Sequence, residues 1–160
     1  MSGGMSAVTI WETLAIAEYL DELFPERGVW PEDMASRATA RAMVAEMHAG
    51  FAALRSECPM NLRRPSAPMA VSESCRADVA RIGAIFADCL EASGGPFLMG
   101  AFSAMDAFYA PVLTRIQTYM LLDSEAVKSF ATALDTLPAW QEWRSAALAE
   151  TVIIATDEVE

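Results

Sequence analysis

The sequence predicts an all-α protein, a bundle of about six helices, and three observations carry this prediction. Apolar residues recur at helical spacing along most of the 160 residues, as expected for helices that each bury one face. Prolines and glycines separate these stretches and mark helix ends. Early in the chain, only residues 7 to 11 have the β-branched and aromatic character of a strand, and one short strand does not form a stable sheet.

Two helices are predicted in the first third of the chain. The first covers residues 12 to 24 and stops at Pro25, because a proline cannot continue the hydrogen-bond ladder. The second is long, residues 34 to 57, with alanines on one face and larger apolar residues on another. It is predicted to end at Cys58, just before a proline-rich loop.

Four more helices are predicted after this loop. Each is bounded by a capping serine, a glycine or a proline. The first runs from the cap Ser72 to Gly94 and the second covers residues 104 to 119. The third runs from the cap Ser124 to residue 135 and the fourth covers residues 139 to 149. The helix over residues 104 to 119 contains Pro111, which removes one backbone hydrogen bond and is predicted to kink the helix. The tail, residues 151 to 160, is predicted to cross the surface.

The helix that begins at residue 104 is apolar nearly all round, which is typical of a buried helix. Ser103 is a favoured N-cap and Asp106 follows three positions later, so the pair is predicted to form a capping box. In that arrangement each side chain accepts a hydrogen bond from the backbone N–H of the other residue. We predict a structural role for this pair and no chemistry.

The charge balance excludes some classes of partner. The chain has 22 acidic and 11 basic residues and a formal net charge of −11, whereas binding nucleic acid or anionic lipid requires a basic surface. No apolar run approaches the roughly 18 residues of a membrane span. Residues 1 to 7 lack the features of a signal peptide and are predicted to be a flexible leader.

The cysteines indicate a reducing compartment. Cys58, Cys75 and Cys89 are odd in number and form no CxxC pair, so they are predicted to be buried free thiols in a cytoplasmic protein. The sequence also lacks a glycine-rich phosphate loop and the GxSxG and HExxH motifs. No metal site is predicted.

A few polar residues are candidates for chemistry, each with a structural alternative. His48 is the only histidine; it is interpreted as a packed or cleft-lining residue, with a substrate contact as the alternative. Glu12 begins the first helix and either complements the helix dipole or contacts a ligand. Arg63 and Arg64 either lie in a solvated loop or bind an anionic group.

Several stretches of the sequence, in this order, resemble the glutathione S-transferase family. Residues 8 to 20, beginning Val-Thr-Ile-Trp-Glu-Thr, resemble the last strand and helix of its thioredoxin-like half. Residues 97 to 106 resemble the loop and capping box that begin the central helix of its helical C-terminal domain. Further stretches, at residues 45 to 55, 59 to 64, 106 to 112 and 137 to 143, resemble a bacterial subgroup of the family.

The resemblance implies a domain division. Residues 8 to 28 are expected to be a remnant of the thioredoxin-like domain and residues 29 to 160 the helical C-terminal domain. Most of the thioredoxin-like half is absent, including the part that carries the family's catalytic residue, so the catalytic residue stays unassigned. The family's reaction, attack of the glutathione thiolate on an electrophile, is therefore expected to be incomplete in this chain.

The resemblance also implies site residues and partners. Glu12 and Thr13 match the position that binds the γ-glutamyl group of glutathione, the co-substrate. The wall of the electrophile site is expected to include His48, Phe51, Met60 and Tyr109. A homodimer is expected, because the missing half would leave an apolar face exposed. The alternative function is a non-catalytic helical module for protein interaction.

Overall fold

The all-α prediction is confirmed. A computed structural model describes residues 8 to 159 and shows no strand within them, apart from isolated bridges in the loop at residues 97 to 101. Its seven helices are α1 (Thr13–Leu23), α2 (Met34–Ala49), α3 (Ala52–Glu57), α4 (Glu73–Ser93), α5 (Ala104–Thr118), α6 (Glu125–Asp135) and α7 (Pro138–Ala149). Two short 3-10 turns, Pro25–Arg27 and Ala155–Asp157, complete the regular structure.

The predicted long helix over residues 34 to 57 is wrong, because the chain breaks between α2 and α3. Gly50 is extended and Phe51 adopts the left-handed region at φ 55°. The break carries Phe51 into the core, where it is 6% exposed. The guanidinium of Arg55 then donates hydrogen bonds to the carbonyls of Met47 and Gly50, so carbonyl groups that the end of α2 leaves without a helical partner are satisfied.

Helix α5 lies at the centre of the bundle and packs against α2 and α6. Nine of its 15 residues are buried, and Pro111 lies inside it. The Tyr109 ring meets Phe86 of α4 edge to face at 5.7 Å, and Phe86 meets Phe130 of α6 at 5.0 Å. Edge-to-face contacts of this kind stabilise a core beyond the area that they bury.

The capping box at the start of α5 is confirmed, and it does more than the sequence predicts. The Asp106 carboxylate accepts the Ser103 N–H at 2.8 Å and also the Leu98 N–H at 2.8 Å. Asp106 is fully buried, and burial raises the pKa of its carboxyl above the usual 3.8 despite these hydrogen bonds. The side chain thus ties the preceding loop to the helix.

The β-like run at residues 7 to 11 forms no strand where the structure describes it. Residues 8 to 12 have no regular secondary structure, because no neighbouring strand within residues 8 to 159 offers a pairing edge. The predicted leader, residues 1 to 7, lies outside the described residues. The domain boundary at residue 28 stays a prediction.

The three cysteines are free and buried. Burial raises the pKa of the Cys75 thiol to about 12 and raises those of Cys58 and Cys89 as well. Their thiolate forms are therefore disfavoured. In residues 8 to 159, none of the helices has both the length and the apolar character needed to cross a membrane.

Candidate functional site

The candidate site is a cavity of about 730 Å³ between α1, the end of α2 and the first half of α5. This volume lies within the range of small-molecule pockets. Most of its wall is apolar, with Ile16 and Leu20 from α1 facing Phe108 and Pro111 from α5. A few polar side chains lie among these apolar residues, as is common in ligand sites.

The loop before α5 holds the cavity in shape. The Val29 carbonyl accepts a hydrogen bond from the Ala104 N–H at 2.8 Å, so the chain between α1 and α2 is joined to the first turn of α5. Trp30 is 3% exposed and packs under the Arg41 guanidinium, 5.5 Å from its ring centroid. Arg41 in turn makes two hydrogen bonds to the Glu18 carboxylate of α1, which fixes α1 against α2.

Three polar residues meet where α1 begins. The Thr13 hydroxyl donates a hydrogen bond to Glu12 Oε1 at 3.1 Å, and His48 Nε2 lies 3.5 Å from the same oxygen. Thr13 and His48 line the cavity, and the Glu12 carboxylate lies beside both of them. The structure thus brings together three of the residues that the sequence identifies as candidates.

The Glu12 carboxylate is poised to stay ionised. The hydrogen bond from the Thr13 hydroxyl is the main cause that lowers its pKa, and the nearby His48 and the backbone N–H groups of Thr13 and Leu14 lower it further. Glu12 is the N-cap of α1 but makes no side-chain cap bond. A negative group at this end also complements the helix dipole.

Two arginines add positive charge to the same cavity. Arg27 and Arg55 are both lining residues. The Arg55 guanidinium is held by backbone carbonyls at the end of α2, whereas Arg27 lies on the surface beside Glu26 at 3.4 Å. An apolar cavity with cationic groups at its margin suits a ligand with an apolar body and an anionic end.

The other residues proposed for the electrophile wall lie elsewhere. Phe51 is packed in the core, and Tyr109 is fully buried with its hydroxyl donating to the Met43 carbonyl at 3.0 Å. Met60 lines a separate cavity of about 180 Å³ beside α7 and the tail. Of the four proposed wall residues, only His48 lines the candidate site.

Sequence reasoning missed much of the actual wall. Phe102, which is 44% exposed, lines the cavity together with Ala104, Ala107 and Phe108 from the start of α5. The sequence feature that could have identified Phe102 is its position as a large apolar residue directly before the capping Ser103. Nothing in helical periodicity indicates that this loop faces α1, since that contact depends on tertiary packing.

Arg63 and Arg64 are engaged with the tail. Arg63 donates to the carbonyls of Glu150 and Val152 at 2.6 and 2.7 Å, and Arg64 donates to the carbonyl of Val159. The two arginines therefore hold the C-terminal segment against the loop. Among residues 8 to 159, no group of three or more His, Cys, Asp and Glu side chains is placed to hold a metal ion.

Comparison with known proteins gives two weak similarities. The chain is 32% identical over 108 residues to Protein IN2-1 of Zea mays, and 28% identical over 108 residues to Protein IN2-1 homolog A of Oryza sativa subsp. japonica. Each match covers 68% of this chain. No protein-family model matches the sequence.

The similarity is limited in extent as well as in identity. The matched part amounts to 40% of the length of each of the two plant proteins. The chain therefore corresponds to less than half of either relative, and these comparisons describe a shared segment.

Proposed function

We propose that this chain is the helical part of a glutathione S-transferase-like protein, whose family reaction joins the glutathione thiolate to an electrophile. The similarity to the two IN2-1 proteins supports a loose relationship of this kind. The observation that carries the proposal is the cavity at which Thr13, His48 and the Glu12 carboxylate meet an apolar wall.

The γ-glutamyl group of glutathione matches the chemistry at the start of α1. Its carboxylate suits the Thr13 hydroxyl and the N-terminal N–H groups of α1, because a helix N-terminus attracts anions. Its ammonium suits the Glu12 carboxylate. Without ligand, the Thr13 hydroxyl donates to Glu12 at 3.1 Å, so binding exchanges this internal hydrogen bond for one to the ligand.

The apolar wall suits the electrophile. Ile16, Phe102 and Phe108 line a cavity large enough for an aromatic ring, and we assign His48, which also lines it, a polar contact with the substrate. We assign no residue of this chain to activation of the thiol. That role belongs, in this proposal, to a thioredoxin-like domain that completes the site.

The assembly is proposed to be a cytoplasmic homodimer. Apolar side chains are exposed on and near α1, including Trp11 at 87% and Leu23 and Phe24 at 46% each, and exposed apolar surface favours association. The buried free thiols suit a reducing compartment. Light scattering at micromolar concentration tests the dimer, and a single monomer peak would contradict it.

The same exposed face favours a second candidate function, a non-catalytic module for protein interaction. Only Ala17 of α1 is buried, which leaves most of the helix available to a partner. The two candidates differ in glutathione binding. The interaction module does not require it, whereas the transferase-like protein does.

Isothermal titration calorimetry with glutathione tests the proposal, with Thr13→Val as the diagnostic variant. Losing one hydrogen bond to a charged group should weaken binding about tenfold. Thr132→Val is the matched control, because Thr132 is an exposed helical threonine on α6 that bonds its own helix and lies outside the cavity. The control should bind glutathione as the parent chain does.

Absence of glutathione heat would contradict the transferase-like function and favour the interaction module. Equal weakening by Thr13→Val and Thr132→Val would show that glutathione binds away from the start of α1.

A further inference from the structure

The Glu12 carboxylate is held at the start of α1 by side chains from two different helices. Its Oε1 accepts the Thr13 hydroxyl at 3.1 Å and lies 3.5 Å from Nε2 of His48. Thr13 belongs to α1 itself, whereas His48 comes from the end of α2. Because the Glu12 side chain is 50% exposed, these two neighbours restrain it more than packing does.

Glutathione binding in the manner proposed above changes this balance. The Thr13 hydroxyl turns to the carboxylate of the ligand, so Glu12 loses the hydrogen bond from that hydroxyl. Within residues 8 to 159, the only ion-pair partner of Glu12 is His48. Their separation of 3.5 Å is longer than a good N–H···O hydrogen bond, and a small rotation of the freed carboxylate closes it.

The end of α2 gives His48 a fixed base. The Arg55 guanidinium donates hydrogen bonds to the carbonyls of Met47 and Gly50, and Phe51, directly after Gly50, is buried in the core. The His48 side chain is 39% exposed and lines the cavity. It therefore reaches Glu12 from a backbone that is anchored independently of α1.

Few other charged groups lie around His48. The Glu12 carboxylate faces it from α1, and the Arg55 guanidinium, bound to backbone carbonyls, approaches it from α3. Arg27 lines the same cavity, and the residues that α5 contributes to the lining are uncharged. The charge of His48 therefore acts mainly on Glu12.

We propose that His48 is a positioning residue for glutathione: its neutral imidazole holds the Glu12 carboxylate toward the γ-glutamyl ammonium, and its imidazolium form opposes that ammonium. This inference rests on the proposed transferase-like function. In the neutral form, Nε2–H donates to Glu12 and leaves its negative charge for the ligand. In the protonated form, the imidazolium neutralises that charge and repels the ammonium.

The two forms of His48 predict a dependence on pH. Histidine side chains commonly change charge between about pH 5 and 8. The Glu12 carboxylate stays ionised over this range, because the hydrogen bond from the Thr13 hydroxyl is the main cause that holds its pKa below the usual 4.5. The contribution of the ligand ammonium to binding should therefore fall as the pH is lowered.

Isothermal titration calorimetry on the full chain, at about pH 8 and about pH 5.5, tests the proposal with two ligands. One is glutathione, and the other is its analogue that lacks the ammonium group of the γ-glutamyl residue. The two ligands share every other group, so the ratio of their affinities isolates the ammonium. This ratio should fall about two- to fivefold from the higher pH to the lower.

Two variants separate positioning from packing. His48→Ala removes the donor and should lower the ratio about two- to threefold at the higher pH. His48→Gln supplies a donor that stays neutral, so it should recover most of this loss and show little change of the ratio with pH. The control is Thr132→Val on α6, outside the cavity, which should keep the ratio and the pH dependence of the parent chain.

The outcomes distinguish this inference from the function on which it rests. If glutathione binds but the ratio is independent of pH, or changes equally in His48→Gln, the positioning role is overturned and the proposed function stands. A ratio in His48→Ala equal to that of the parent chain at the higher pH also overturns it. Absence of heat with both ligands at both pH values overturns the proposed function, and this inference with it.

Discussion

Helices α5 and α1 differ in how their first turns are satisfied, although both begin beside an acidic residue. At α5 the Asp106 carboxylate is buried and holds the N–H groups of Ser103 and Leu98 at 2.8 Å each. At α1 the N-cap Glu12 makes no side-chain cap bond and shares its carboxylate with Thr13 and His48. The closed cap serves the fold, and the open one suits a ligand.

The two helices also differ in burial. Nine residues of α5 are buried, whereas α1 buries only Ala17. Most of the hydrophobic free energy therefore comes from α5 and its neighbours, because the gain scales with apolar area removed from water. Helix α1 buries little apolar surface and adds an exposed Glu18–Arg41 pair, so we expect that it can be altered without unfolding the bundle.

The largest effect is expected from opening the closed cap. Asp106→Ala leaves two buried N–H groups without an acceptor and should lower the free energy of unfolding by about 2–4 kcal/mol. Asp106→Asn restores one acceptor and should cost less, about 1–2 kcal/mol. Chemical denaturation followed by circular dichroism measures both changes.

Asp33→Asn is the matched control for this prediction. Asp33 is the exposed N-cap of α2 and accepts the Ser36 N–H at 2.7 Å. Because asparagine caps a helix about as well as aspartate, the free energy of unfolding should change little. If Asp33→Asn lowered the free energy of unfolding as much as Asp106→Asn does, burial would not be the reason that the Asp106 cap contributes more to stability.

A smaller effect is expected from pH acting on the same carboxyl. The pKa of Asp106 is raised by burial, so the unfolded chain loses this proton at a lower pH than the folded chain. As the pH rises from the pKa of Asp106 in the unfolded chain to its higher pKa in the folded chain, the contribution of Asp106 to the free energy of unfolding falls. Above the folded-state pKa this contribution is constant.

Comparing the parent chain with Asp106→Asn at each pH isolates this contribution, since the other carboxyl groups are common to both proteins. The free energy of unfolding of the parent chain minus that of Asp106→Asn should fall as the pH rises between the unfolded-state and folded-state pKa values of Asp106. A difference that grew with pH would mean that the hydrogen bonds outweigh burial and lower the pKa.

The smallest global effect is expected from loosening α1. Glu18→Gln weakens the ion pair between Glu18, 42% exposed, and Arg41, 41% exposed. It should lower the free energy of unfolding by about 0.5 kcal/mol or less. Hydrogen exchange of the α1 amides should accelerate, while that of α5 stays unchanged. Equal acceleration in both helices would show that α1 unfolds together with the core.

Much of the fold was predictable from sequence because its signals are local. The caps Ser72, Ser103 and Ser124 and the stop at Gly94 lie where the helices begin and end. The break at Phe51 was not predictable from periodicity. The apolar pattern runs through it, and the gain comes from burying one side chain and capping α2 with Arg55.

The candidate site was only partly predictable for the same reason. The likeness of residues 8 to 20 to a known family pointed to Glu12 and Thr13, and His48 stood out as the only histidine. The positions of Phe51, Met60 and Tyr109 depend on which helix faces are covered. Sequence patterns identify an apolar face but do not identify what packs on it.

The sequence by itself determined the helical class, most of the helix ends and the Ser103–Asp106 cap, because these depend on interactions within a few residues. Only the tertiary structure decided which side chains share a cavity. His48 and Thr13 are 35 positions apart in the chain yet line one cavity, and Arg64 and Arg144 are 80 positions apart yet line another. Such pairings follow from the packing of whole helices, which minimises exposed apolar area across the molecule.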